Sequence, residues 1–258
     1  MTFSYLLVNI MPALLIRCPY PYGKSQTWLP MDLHKIAASF EAAGTHTDVV
    51  DLNLEPLPPL DRYDHIGIGV IGMPYIPVSQ RIARDVYEKT GKKPLIGGQI
   101  IGAFRPDEFE SIYQNAVQIS GHIAEDTVDK ITGRVSRSYN PALETLGIKA
   151  LPVSDISVAT RIKQMPDDLL KKYLQNDFGF YVSQGCKFTC EFCSVWDKGK
   201  PEKFSKTTVI ERDLDALCES AQRLGLPGMI LYLSSLDLFQ NPRQFKDVLD
   251  SFARARQK

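Results

Sequence analysis

The stretch FGFYVSQGCKFTCEFC, residues 178–193, carries the strongest structural signal in the chain. Its first residues alternate apolar and small side chains, which is typical of a β-strand, and a Gln-Gly pair then opens a loop. The loop contains Cys186, Cys190 and Cys193, with three and then two residues between successive cysteines. We therefore expect a strand whose carboxyl end delivers three thiols to one compact loop.

Three close thiols indicate a metal centre, because soft thiolates are preferred ligands of iron-sulfur clusters and of zinc. Structural zinc uses four protein ligands, yet all four histidines lie far upstream, so Cys18 or Cys218 would have to complete the set. A further interpretation is that the three cysteines are redox-inert thiols of the core. A 4Fe-4S cluster held by three cysteines leaves one iron open to another ligand, as a cluster that performs chemistry requires.

Residues 1–132 alternate short apolar runs with amphipathic stretches, which predicts βαβ units and a parallel sheet. Five strands in about 130 residues match the size of a flavodoxin-like, Rossmann-type doubly wound domain, whose ligands bind at the carboxyl ends of the strands. The predicted strands are 3–8, 47–52, 66–71, 94–96 and 116–119; the predicted helices are 31–43, 78–90 and 124–131, and a loop is predicted over 9–30.

The remainder of the chain divides into a connector and a second βα series. Proline-punctuated, weakly periodic sequence over 133–177 predicts the connector. The series over 178–258 has predicted strands at 178–183 and 228–233 and predicted helices at 208–224 and 242–254. The predicted fold class is therefore α/β, with a doubly wound parallel sheet followed by a second βα series.

The cysteine loop resembles the signature of the radical S-adenosylmethionine superfamily, a CxxxCxxC loop after the first strand of a (β/α) barrel. Phe192 stands where that signature has an aromatic residue before its last cysteine. The resemblance implies that Cys186, Cys190 and Cys193 bind a 4Fe-4S cluster whose free iron chelates S-adenosylmethionine. It also implies that Phe192, Ser234 and Ser235 contribute to the S-adenosylmethionine site; it identifies no catalytic residue.

A flavodoxin-like domain before the loop is similar to the cobalamin-binding subgroup of that superfamily. By this resemblance Gly97 and Gly98, after the fourth predicted strand, and Gly121, after the fifth, contact cobalamin. Glycine pairs let the backbone approach a flat ring system, although a glycine pair at a strand end more often forms a tight turn. Residues 9–24 contain no histidine, so cobalamin would be bound without the histidine ligand of the mutases.

Composition limits the partners. Lys and Arg total 30 against 30 Asp and Glu, so no overall basic field favours nucleic acid. No apolar run is long enough to span a bilayer and the first residues do not resemble a signal peptide, which predicts a cytoplasmic protein without a membrane partner. The resemblance implies a small-molecule substrate and an electron donor such as flavodoxin or ferredoxin.

The resulting hypothesis is a radical S-adenosylmethionine enzyme, with cobalamin-dependent methyl transfer or a related radical reaction as its activity. The family's barrel has six βα units and residues 178–258 supply two, so we expect a chain that is truncated within the barrel. Two alternatives stay open. One is a truncated or split-enzyme fragment that binds cluster or cobalamin without turnover, with a companion chain carrying the other strands; the other is a zinc-binding structural protein.

Overall fold

The computed structural model describes residues 12–22, 28–128, 134–191, 193, 199, 203–234 and 241–256. The fold is α/β. Its strands are β1 (Ala13–Arg17), β2 (Thr47–Asp51), β3 (His65–Gly69), β4 (Leu95–Gly97), β5 (Val117–Ile119), β6 (Ala124–Val128), β7 (Val135–Tyr139), β8 (Phe178–Tyr181), β9 (Ser183–Gln184), β10 (Lys203–Phe204) and β11 (Leu231–Ser234). Its α-helices are α1 (Met31–Ala42), α2 (Ile76–Thr90), α3 (Pro106–Ile112), α4 (Pro141–Thr145), α5 (Ala159–Gln164), α6 (Asp167–Leu174), α7 (Thr207–Arg223) and α8 (Pro242–Ala255).

A five-stranded parallel sheet with strand order β2-β1-β3-β4-β5 forms the first part of the molecule. This order is that of flavodoxin-like sheets, with the topological switch point between β1 and β3. Side chains on β1 alternate between its two faces: Leu14 and Ile16 pack with α2, whereas Leu15 packs with α1. The doubly wound sheet predicted from the sequence is therefore confirmed.

One interior strand of the sheet, β1, lies where the sequence predicted a loop. The predicted strand 3–8 falls outside the described residues, and β1 occupies Ala13–Arg17, within the predicted loop 9–30. All five β1 residues are buried, because α1 and α2 cover both faces of the sheet. A strand buried on both faces shows no alternation, and prolines at positions 12, 19 and 21 give its surroundings the composition of a loop.

The helix predicted over 124–131 is wrong for its described residues, because Ala124–Val128 forms β6. This strand pairs antiparallel with β7, and Asp126 lies opposite Arg137 in the register. The Arg137 guanidinium contacts both carboxylate oxygens of Asp126, at 2.6 and 2.8 Å. A cross-strand ion pair thus adds to the pairing of β6 with β7.

The predicted connector forms β7, α4, α5 and α6, and its three helices place side chains in the core. Leu143 of α4 lies in the core beneath α1, while Ile162 and Leu170 lie in the core of the second part. A buried polar contact reinforces this packing: the Tyr173 hydroxyl donates to Asp51 at the end of β2, at 3.1 Å. Where the domain boundaries fall, at 132 and 177, stays a prediction.

The second part is a βα series in which β8 pairs in parallel with β11. Helices α7 and α8 pack on this pair, and Phe180 of β8 contacts Phe252 of α8 edge to face, with ring centroids 5.3 Å apart. The predicted strands 178–183 and 228–233 correspond to β8 with β9 and to β11. Within the described ranges no helix is both long and apolar enough to cross a membrane.

Candidate functional site

A cavity of about 550 Å³ lies at the carboxyl edge of the five-stranded sheet. Its walls come from the ends of β3, β4 and β5, from one face of α1, and from the segment leading into the cysteine loop. Most of the lining is apolar, which is typical of a small-molecule site, and the volume lies within the usual range for such sites. Its polar described side chains are those of Asp32, Lys35, Gln99, Tyr181 and Gln184.

The three glycines assigned by resemblance to cobalamin all line this cavity. Gly97 ends β4, Gly98 follows it with a φ of +124°, and Gly121 follows β5 with a φ of +89°. Gly98 also has a purely structural requirement, because a Cβ there would lie 2.2 Å from the carbonyl oxygen of Val70. The structure thus brings the three glycines together, while their contact with cobalamin stays a prediction.

The cysteine loop is closed at its base by backbone hydrogen bonds. Strands β9 and β10 pair antiparallel, and the Ser205 amide donates to the Val182 carbonyl at 2.8 Å. Inside the loop the Gly199 amide donates to the Phe188 carbonyl at 2.9 Å. The 18-residue loop between β9 and β10 is therefore fixed at its ends by strand pairing, and the hydrogen bond from Gly199 to Phe188 links two positions within it.

The three cysteines lie within this closed loop. The Cys193 amide donates to the Cys190 carbonyl at 3.1 Å, which curls the Cys-x-x-Cys segment into one turn. Cys190 is exposed, and Cys186 and Cys193 are half-buried. In the part of the chain that the structure describes, no three His, Cys, Asp or Glu side chains are grouped so as to hold a metal ion. Ligation by these thiols stays a prediction that rests on their spacing and soft donor chemistry.

Ser234 is the last residue of β11 and lies opposite Tyr181, the last residue of β8, in the parallel register. Its backbone is thereby placed beside the strand that leads to the cysteine loop. Phe192 and Ser235, also assigned by resemblance, lie outside the described residues. The S-adenosylmethionine contacts of all three residues stay predictions.

The cavity and the cysteine loop are adjacent along the chain. Gln184 lines the cavity and is the last residue of β9, two positions before Cys186. Tyr181, at the end of β8, lines the same cavity. A single space is therefore bounded on one side by the glycine-rich sheet edge and on the other by the segment that leads into the cysteine loop.

The fold of the chain is similar to two solved structures at low sequence identity. One is the cobalamin-dependent S-adenosylmethionine radical enzyme OxsB with aqua-cobalamin and S-adenosylmethionine bound, with a TM-score of 0.61 and 12% identity, over 95% of this chain and 37% of that chain. The other is the radical S-adenosylmethionine methyltransferase TsrM from Kitasatospora setae with cobalamin and a 4Fe-4S cluster bound, with a TM-score of 0.59 and 15% identity, over 96% of this chain and 53% of that chain.

This chain has the fold shared by OxsB and TsrM. It spans 37% of the OxsB chain and 53% of the TsrM chain. No protein-family profile matches the sequence, and no curated protein is similar enough to match it. The likeness to OxsB and TsrM therefore concerns the arrangement of strands and helices.

The sequence did not predict the polar residues that α1 brings to the cavity. Lys35 is the clearest case, because it lies between core positions 33 and 36 of a helix predicted only as amphipathic. Its Nζ contacts Asp213 Oδ2 at 3.4 Å and the Ile156 carbonyl at 3.2 Å. Burial lowers the pKa of Lys35, and the neighbouring Asp213 carboxylate partly opposes that change by raising it.

Cys18 follows β1 and is buried in the core beneath α2. Burial raises the pKa of its thiol to about 12. Cys18 therefore lies among apolar core side chains, and its part in a zinc site stays a prediction.

Proposed function

We propose that this chain is a radical S-adenosylmethionine protein that binds a 4Fe-4S cluster and cobalamin on opposite sides of one cavity. The observation that carries the proposal is the cavity itself, which Gly97, Gly98 and Gly121 line together with Gln184, two residues before Cys186. The fold shared with OxsB and TsrM, whose structures contain cobalamin, supports the same assignment.

In this proposal the Cys186, Cys190 and Cys193 thiolates hold the cluster. When bound, a reduced cluster and S-adenosylmethionine would supply a 5′-deoxyadenosyl radical, and cobalamin would supply a methyl group. The protein contributes the closed loop, whose ends are fixed by the β9–β10 pair and whose interior is fixed by the bond from Gly199 to Phe188. A loop already closed reduces the conformational entropy lost when three thiolates converge on one centre.

The apolar lining has a second role in this proposal, which is to exclude water from the reacting groups. Leu15, Ile36, Phe40 and Leu95 cover the inner wall of the cavity. Exclusion of water strengthens electrostatic interactions and prevents loss of a reactive intermediate to solvent. Tyr181 and Gln184 offer hydrogen-bonding groups on the side of the cysteine loop, where they can orient a ligand held between the two cofactors.

Within this framework we propose methyl transfer to a small-molecule substrate as the reaction, because TsrM, a structure of the same fold, is a methyltransferase. Reductive cleavage of S-adenosylmethionine consumes an electron, so the proposal includes an external donor such as a reduced flavodoxin or ferredoxin. A companion chain that pairs with β11 would be required if the chain binds cofactors but does not turn over.

The direct test is anaerobic reconstitution of the full chain with iron and sulfide, followed by iron, sulfide and zinc analysis. We expect about four irons and four sulfides per chain and a brown colour. Replacement of Cys186, Cys190 and Cys193 together by Ala removes the cluster. Cys18→Ala and Cys218→Ala serve as matched controls and keep it.

Each alternative gives a different result in this experiment. A colourless chain that retains zinc and ignores added iron supports a zinc-binding structural protein and contradicts the proposal. A chain that binds iron and hydroxocobalamin but never consumes S-adenosylmethionine supports a binding fragment. If hydroxocobalamin elutes separately from the wild-type chain in gel filtration, the proposed binding of cobalamin is contradicted and the proposed binding of the cluster is not.

A further inference from the structure

The cavity contains a buried cation that the proposed chemistry does not use. Among the described lining residues two side chains carry charge, Asp32 and Lys35, both on α1. Asp32 is exposed at the first turn of the helix, whereas the side chain of Lys35 is 4% exposed. The Asp32 side chain therefore faces solvent, whereas the Lys35 side chain is buried at the cavity wall with Asp213 as its counter-charge.

The Lys35 ammonium is tethered but not saturated by its protein contacts. An ammonium has three N–H donors and no acceptor. Asp213 Oδ2 and the Ile156 carbonyl accept two of them, at 3.4 and 3.2 Å. Both distances exceed the 2.7–2.9 Å typical of strong charge-assisted hydrogen bonds. Among the described residues these are the two acceptors of the ammonium, which leaves its third N–H donor for an incoming group.

Asp213 cannot shorten its contact with Lys35 without losing other bonds. Its second oxygen, Oδ1, accepts from the Ser157 hydroxyl at 2.6 Å and from the Val158 amide at 2.8 Å. The carboxylate is fully buried on α7 and fixed by the connector. Asp213 thus acts as a positioning residue that keeps the charge of Lys35 at the cavity wall.

We propose that Lys35 is the anion-recognising residue of the cavity, and that the bound ligand places one anionic oxygen against its ammonium. A desolvated ammonium attracts an anion far more strongly than a solvated one, because the local dielectric constant is low. Two sources offer such an oxygen: the phosphodiester of cobalamin and the carboxylate of a small-molecule substrate. Only the first source depends on the proposed function.

Two fluorescent probes that differ by one charge test the central point on the purified chain without cofactors. The anionic probe is 8-anilinonaphthalene-1-sulfonate, and the neutral probe is N-phenyl-1-naphthylamine, which has the same rings without the sulfonate. We expect Lys35→Met to reduce the affinity of the chain for the anionic probe about tenfold and to leave its affinity for the neutral probe unchanged. Lys35→Arg is expected to keep most of the affinity.

Controls separate recognition from folding. Lys35→Met combined with Asp213→Asn removes both buried charges, so that no unpaired carboxylate destabilises the fold, and we expect the same tenfold loss. Lys92→Met replaces a half-buried lysine near Asp64, at the amino edge of the sheet. This variant is expected to bind both probes with the wild-type affinity. An equal loss for both probes, or no loss for either, would overturn the proposal.

Hydroxocobalamin and hydroxocobinamide, which lacks the nucleotide and its phosphodiester, identify the source of the anion. If Lys35→Met reduces the affinity for hydroxocobalamin about tenfold but leaves the affinity for hydroxocobinamide unchanged, the phosphodiester is the group that Lys35 recognises. If Lys35→Met reduces the affinity for the anionic probe but for neither corrinoid, Lys35 recognises a substrate carboxylate. A wild-type chain that binds no corrinoid contradicts the proposed function, and the probe pair still decides the role of Lys35.

Discussion

The backbone of Gly98 lies directly against the carbonyl of Val70, so that a Cβ on Gly98 would be 2.2 Å from the Val70 oxygen. This approach occurs where β4 ends, and the Val70 amide donates to the Gly97 carbonyl at 2.8 Å in the same place. The floor of the cavity is therefore built from two strand ends in close contact, and a side chain at position 98 is incompatible with it.

We predict that Gly98→Ala destabilises the chain by about 1–3 kcal/mol more than Gly44→Ala. Both glycines have a positive φ, +124° and +96°, but a Cβ at Gly44 meets nothing within 4 Å. The difference between the two variants therefore isolates the clash with Val70 from the backbone strain. Urea unfolding measures it, and equal losses would show that the strand end relaxes freely.

Asp51 joins the sheet to the connector through a buried network. It accepts from Arg17 at 3.0 Å, from the Tyr173 hydroxyl at 3.1 Å and from the Asn53 amide at 2.9 Å. We predict that Asp51→Ala costs about 3–5 kcal/mol, because it leaves the buried Arg17 guanidinium without its counter-charge. Tyr173→Phe, which removes one hydrogen bond, is expected to cost about 1 kcal/mol.

The matched control for Asp51 is Asp126→Ala. Asp126 pairs with Arg137 on the β6–β7 hairpin, where the guanidinium side chain is 34% exposed. An ion pair that water screens contributes under about 1 kcal/mol. Chemical unfolding that gave Asp51→Ala and Asp126→Ala the same free energy of unfolding would contradict the network described for Asp51.

His34 predicts a pH dependence of stability. Burial and the nearby Arg161 lower its pKa to about 3 from 6.5, so the folded state holds the ring neutral. The unfolded state takes up a proton first as pH falls, so this contribution is complete above about 6.5 and is lost toward about 3. The loss amounts to at most about 1.4 kcal/mol per pH unit.

His34→Gln is expected to reduce that slope between pH 6.5 and 4, measured as the free energy of unfolding at several pH values. His46→Gln is the control, because its side chain is 61% exposed. Parallel pH curves for wild type and His34→Gln would show that His34 gains its proton without cost in the folded state.

Part of the fold was predictable because each element carries its own pattern. Helix α1 was predicted from apolar residues at 3, 4 and 7 spacing, and the structure places its end within one residue of the prediction. Strand β1 was missed because a strand buried on both faces lacks alternation. Strand β6 was missed because its stability depends on pairing with β7, which a single segment does not reveal.

The candidate site was predictable only where short spacing carries the chemistry. Cys186, Cys190 and Cys193 stand within eight residues, so their common loop could be inferred directly. The environment of Lys35 could not, because Asp213 lies 178 positions away in the chain. The structural reason for Gly98 was also hidden, since it is the carbonyl of another strand end that approaches it.

Gly199 predicts a local effect on the cluster loop. Its φ is +80°, and a Cβ there would lie 3.1 Å from Thr189 Cγ2. We predict that Gly199→Ala speeds removal of iron from the reconstituted chain by a chelator about fivefold, because strain of about 1 kcal/mol falls on the loop. Gly147→Ala, with a φ of +70° and nothing within 4 Å, is the control. Equal rates of iron release from the Gly199→Ala and Gly147→Ala variants would show that Gly199 does not help to retain the cluster.

We propose that the thiolates of Cys186, Cys190 and Cys193 hold a 4Fe-4S cluster with one iron open to S-adenosylmethionine. Electron paramagnetic resonance of the reconstituted, dithionite-reduced chain, recorded with and without S-adenosylmethionine, tests it most directly. We predict the spectrum of a one-electron-reduced 4Fe-4S cluster whose g-values shift when S-adenosylmethionine is added. A cluster spectrum that S-adenosylmethionine leaves unchanged, or no cluster spectrum at all, would contradict the claim.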